Sequence, residues 1–141
     1  MLVVVCTGVL RLVFPAVGQA ALGVLEPQSG YGFTNTGVLL QSGARQDVAS
    51  VGRLLYDGQR RVSGTGTLSL NGLVSEGMLT GTYKVNAECT GSDTLTFAPA
   101  NPANPAPPPF HDNFVIVHQR LRVKLIDTDL GAVITGTANI Q

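Results

Sequence analysis

The densest group of side chains able to do chemistry is Asn86-Ala87-Glu88-Cys89-Thr90-Gly91, where an amide, a carboxylate, a thiol and a hydroxyl follow one another closely. Glu88 could shuttle a proton beside the Cys89 thiol, or both could contact a small ligand together with Asn86. The same residues also suit a structural role, in which Asn86 and Thr90 bond the backbone of a turn and Cys89 packs as a small apolar plug. That structural role is the favoured reading. Tyr83 lies on the apolar face of its strand, where its hydroxyl either meets a ligand or sits at the rim of the core. Tyr83, Asn86, Glu88 and Cys89 are therefore the candidate ligand-binding residues, and no residue is assigned a catalytic role.

Other chemistries lack their residues. His111 and His118 are separated by an odd number of positions, which places them on opposite faces of a continuous strand, so no metal site is expected. No Gly-x-Ser-x-Gly elbow, phosphate-cradling loop or His-Glu-x-x-His motif occurs, and Ser75 and Ser92 have no candidate base nearby in sequence. No cofactor is expected. Nine Lys plus Arg balance nine Asp plus Glu, leaving no net charge to attract nucleic acid or an anionic membrane.

The elements that must position these residues are strands. The chain of 141 residues is 44% hydrophobic, which suits one domain with a real core. After Ala20 no stretch keeps a helical apolar period, whereas period-two runs separated by Gly, Asn and Asp recur to the end. The expected fold is all-β, an antiparallel up-and-down barrel of about eight strands, with a β-sandwich as the alternative. The strands are Tyr31 to Leu40, Asp47 to Tyr56, Arg60 to Leu70, Leu73 to Asn86, Asp93 to Ala98, Asn113 to His118, Leu121 to Asp127 and Ala132 to Ile140. Turns fall at Asp57-Gly58, Asn71-Gly72, Thr90-Gly91, His118-Gln119-Arg120 and Asp129-Leu130-Gly131.

Asn71-Gly72 is the strongest signal, because both residues tolerate positive φ. A two-residue turn there pairs Leu70 with Leu73, Leu68 with Ser75, Gly66 with Gly77, Gly64 with Leu79 and Val62 with Gly81 on one apolar or small face. Leu68, Leu70, Leu73 and Leu79 should be buried, and Thr65, Thr67 and Glu76 solvated. Inward Gly64, Gly66, Gly77 and Gly81 let a sheet coil tightly and let larger neighbours fill the interior, which favours a barrel. At Asp57-Gly58 a two-residue turn points Arg53 inward and a three-residue turn points Leu54 inward. The cost of burying an unpaired guanidinium favours the second.

Residues 1–20 read as an export signal, an apolar run broken by Arg11 and followed by small residues up to Gly18-Gln19-Ala20. The run lacks a charged start and is too short and interrupted to anchor in a bilayer. The mature domain is then 21–141, without an integral membrane segment, in the periplasm or outside the cell. Its one remaining thiol, Cys89, has no intramolecular partner left. Residues 99–109, rich in Pro, form an exposed polyproline-like loop that could serve as a lid or as a ligand for an aromatic groove, with a plain elongated surface loop as the favoured reading.

Gly81-Thr82-Tyr83-Lys84-Val85-Asn86, Cys89-Thr90-Gly91, Phe114-Val115-Ile116-Val117 and the stretch from Asp129 to Ala138 resemble a group of small exported bacterial proteins of unknown function. Those proteins are similar to the calycin-like barrel of allene oxide cyclases and dirigent proteins. The resemblance covers the last two thirds of the chain and implies an eight-stranded barrel. The chain departs from the group at His118-Gln119-Arg120 and in the Pro-rich segment, and no catalytic residue of the cyclases maps onto it. The leading expectation is an exported, non-enzymatic barrel that binds a small apolar molecule in its lumen. The alternatives are a structural or surface-assembly subunit, for which a homo-oligomer is the natural form, and an isomerase or cyclase.

Overall fold

The computed structural model describes residues 30–117 and 122–141, so the expected signal at 1–20 and the turn at His118-Gln119-Arg120 lie outside the described residues. Eight strands follow one another: β1 (Gly30–Gln41), β2 (Ala44–Tyr56), β3 (Arg61–Leu70), β4 (Leu73–Val85), β5 (Thr90–Pro99), β6 (Phe110–Val117), β7 (Arg122–Asp127) and β8 (Ala132–Ile140). Each pairs antiparallel with its sequence neighbours, and β1 pairs with β8, closing a barrel in up-and-down order. Closure removes the two free edges that a sandwich would have to protect. No helix long and apolar enough to cross a membrane occurs among the described residues.

The Asn71-Gly72 hairpin adopts the register its turn chemistry dictates, with Leu70 opposite Leu73, Gly66 opposite Gly77 and Val62 opposite Gly81. Asn71 and Gly72 have φ of 49° and 84°, a pair of positive values that matches the twist of the flanking strands. The tip docks on β2, where the Asp47 amide donates to Asn71 Oδ1 at 2.8 Å. Leu68 and Leu79 are buried, but Leu70 is only partly so and Leu73 is 49% exposed. The expected burial of Leu73 is thus corrected: it sits at the hairpin tip, where no opposite wall covers it. Thr65 and Glu76 are exposed, while Thr67 is half-buried.

Between β2 and β3 the Asp57 carboxylate accepts from the Gln59 and Arg61 amides, and Gly58 and Arg60 take positive φ. The resulting four-residue connection, Asp57 to Arg60, is longer than either turn weighed from the sequence and places Tyr56 opposite Val62 and Leu54 opposite Gly64. Leu54 therefore points inward and Arg53 outward, the arrangement that the desolvation cost of a guanidinium favours. The turn expected at Thr90-Gly91 lies earlier, at Asn86–Cys89, with Cys89 at a φ of 62°. Gly91 is instead a strand residue, and its lack of a side chain makes room for the Phe114 ring.

The lumen is filled by the inward residues of all eight strands, among them Phe33, Leu54, Leu68, Leu95, Phe97, Phe114 and Ile134. Phe33 packs over Gly52 and Gly66, and Phe97 packs over Gly77. Outward positions carry Arg53, Arg61, Glu76, Lys84 and Lys124 among many threonines. An apolar inside is the inverse of the polar, water-filled interior of a channel-forming barrel.

Candidate functional site

Three aspartates lie inside this apolar barrel. Asp93 on β5 stands opposite Asp112 on β6, and Asp112 stands opposite Asp127 on β7. Direct cross-strand partners share a face, so the three carboxyls line one inner wall, and all are buried, with exposures of 5–6%. On its other side Asp93 pairs with Tyr83 of β4, which extends the belt across four strands. Each acid holds the inward position of its strand, in step with Leu95 and Phe97 on β5, Phe114 and Ile116 on β6, and Val123 and Leu125 on β7.

Burial is the main reason that these carboxyls resist ionisation. It pushes Asp93 up to about 8, helped by the neighbouring charge of Asp112 and the hydrogen bond between them. Asp112 rises to about 7 through burial and the charge of Asp127, partly offset by that hydrogen bond and by His111. Asp127 is raised in the same direction by burial, although its Oδ1 accepts the Asp129 amide at 2.7 Å and so retains a stabilising partner. Two acids this close in a low-dielectric lumen hold at least one proton between them at neutral pH. Asp93 Oδ1 accepts no hydrogen bond.

At the end bearing the β2–β3 and β4–β5 turns, Tyr31, Tyr56 and Tyr83 stack edge to face. Ring centroids are 5.6 Å apart for Tyr31 and Tyr56 and 5.0 Å apart for Tyr56 and Tyr83. Burial, then the charge of Asp93, drives the Tyr56 hydroxyl well above its ordinary pKa, so Tyr56 stays neutral. Toward the opposite end a cavity of about 40 Å³ remains, walled mainly by apolar side chains with Asn35, Asp112 and Asp127 among them. No Lys, Arg or His lines it. Across that end runs the Pro-rich segment, where Asn104 Nδ2 donates to the buried Ser75 Oγ at 2.8 Å and the Ala100 amide donates to the Glu76 carbonyl.

The residues singled out from sequence do not come together. Tyr83 is buried inside the barrel beside Asp93. Asn86 and Glu88 are exposed on the β4–β5 turn, where Asn86 Nδ2 donates to Thr90 Oγ1 at 3.2 Å. Cys89 is half-buried against the core and disulfide-bonded, which corrects its reading as an unpaired thiol. His111 faces outward and pairs with Asp129, Nδ1 to Oδ1 at 2.7 Å. No group of three His, Cys, Asp or Glu able to hold a metal ion occurs among the described residues. The sequence reading missed Asp93, Asp112 and Asp127, although each falls in the period-two apolar register of its own strand, a signal open to inspection.

Comparison with family models, characterised proteins and solved structures yields no match, so the argument for function rests on this site.

Proposed function

We propose that the chain is an exported, non-enzymatic barrel that binds a small, largely apolar molecule in its lumen. The observation that carries this reading is the apolar cavity with Asp112 and Asp127 on its wall, because a few fixed polar groups in an apolar concavity are the usual recipe for ligand recognition. Export is supported by the apolar run and small residues of 1–20, and the eight-stranded barrel is consistent with kinship to the exported calycin-like group. The volume of about 40 Å³ accommodates two or three water-sized groups, so the ligand is small or displaces the Pro-rich segment at the mouth.

Native mass spectrometry of protein purified from its own cell envelope tests this. The expected result is a chain that carries a small molecule released on denaturation. A ligand-free chain that also fails to take up a fluorescent apolar probe would overturn it.

The close Asp93–Asp112 pair favours a second reading, an isomerase that donates and recovers a proton in the lumen. Turnover of an added ligand, abolished by Asp112→Asn, would establish that reading over simple binding.

A further inference from the structure

A row of buried acids with no cation beside it asks what occupies it. Every Lys and Arg among the described residues is exposed, and His111 is committed to Asp129 on the outer side. The groups that face the acids are Tyr83 from β4, Tyr56 from β2 and the acids themselves, with Asp129 beyond Asp127 at the rim. None of these brings positive charge, and His111, which eases the shifts of Asp112 and Asp127, acts from the outer side where it is paired with Asp129. Among the buried oxygens without a hydrogen-bond partner, two belong to carbonyl or carboxyl groups close to these acids or on the cavity wall. Asp93 Oδ1, on a side chain more than nine-tenths buried, accepts nothing, and neither does the buried Oδ1 of Asn35 on the cavity wall. Unsatisfied buried acceptors cost free energy that a bound donor returns.

We propose that the lumen selects small organic cations, with the ammonium group of a short alkylamine held between Asp112 and Asp127 and its carbons against the apolar wall. This rests on the ligand-binding reading above and adds the chemical class. An ammonium group is a compact set of donors and fits a space of about 40 Å³ with few carbons attached. It needs no convergent coordination shell, which the described residues do not offer a metal ion. The attraction between ammonium and carboxylate is strong in a lumen shielded from water, and it must exceed the cost of desolvating the incoming cation. Because burial and the charge of Asp127 push Asp112 up to about 7, a cation that binds at or below that pH takes the place of a proton, which leaves for solvent.

The test is calorimetric titration of the full chain with propylammonium and, separately, with propan-1-ol, in buffers of different ionisation enthalpy. Propylammonium should bind at least about tenfold more tightly than propan-1-ol, a difference of about 1.4 kcal/mol. Its affinity should rise between pH 6 and pH 8, with proton release that the alcohol does not show. Asp112→Asn, checked for folding by circular dichroism, should abolish both the preference for propylammonium and the proton release that accompanies it. Equal binding of both probes without proton release would overturn the cation inference and leave lumen binding standing. Binding of neither probe would overturn both.

Discussion

At the scale of single residues, Asp93 and Asp112 set how the barrel responds to pH. Their pKa values are raised in the folded state, so between about pH 4 and pH 8 the native protein binds more protons than the unfolded chain. Stability therefore falls as pH rises through that window, and the destabilisation is complete only above the folded values. Thermal melts at pH 5 and pH 8 should show the higher midpoint at pH 5. Asp93→Asn, which keeps the shape and cannot ionise, should flatten the difference; a midpoint that rises with pH would contradict this account. These acids were legible in the strand alternation, since each stands two positions from an inward apolar residue. Sequence reasoning passed over them because an Asp in a strand is expected to face water, and nothing local states that three such strands will be neighbours. Glu88 and Cys89 drew attention for the opposite reason, their closeness along the chain, which the turn at Asn86–Cys89 does not convert into a shared site.

At the scale of elements, the hairpins were the most readable part of the molecule. A two-residue Asn-Gly turn and the connection from Asp57 to Arg60 each fix the parity of the following strand, and parity decides which side chains enter the lumen. What turn chemistry does not fix is where a strand emerges past the rim, as Leu73 does. The inward glycines are better understood as partners of aromatic rings than as weak points. A Cβ at Gly77 would meet the Phe97 ring and the Ala98 carbonyl, neither of which can move freely. Gly77→Ala should therefore cost about 1–3 kcal/mol by overpacking, read from the denaturant midpoint at unchanged slope. A mild effect there would mean that Phe97 repacks easily and that β4 and β5 are less tightly coupled than their register indicates.

At the scale of the whole molecule, closure makes the order of the strands more important than the place where the chain begins. Both described ends of the barrel wall lie together, since β1 and β8 pair from Tyr31 with Ile140 to Leu39 with Ala132, and the Gln141 amide donates to the Gly30 carbonyl at 2.8 Å. Strand pairing runs only between neighbours around the ring, so joining the ends and opening a connection elsewhere keeps every strand pair. The most suitable opening is the Pro-rich segment, which contributes no strand and ties down chiefly through Asn104 and Ala100. A permutant that starts at Ala103, runs through Gln141, continues through residues 1–29 into Gly30 and ends at Pro102 should fold cooperatively to the same barrel. Its melting midpoint should be lower because the contact of Asn104 with Ser75 is loosened, while the near-ultraviolet signal of the Tyr31–Tyr56–Tyr83 stack is retained at the far end. Loss of that signal, or a broad non-cooperative transition, would show that the β1–β8 seam forms only in the native chain order and that the barrel is held by more than its ring of neighbouring pairs.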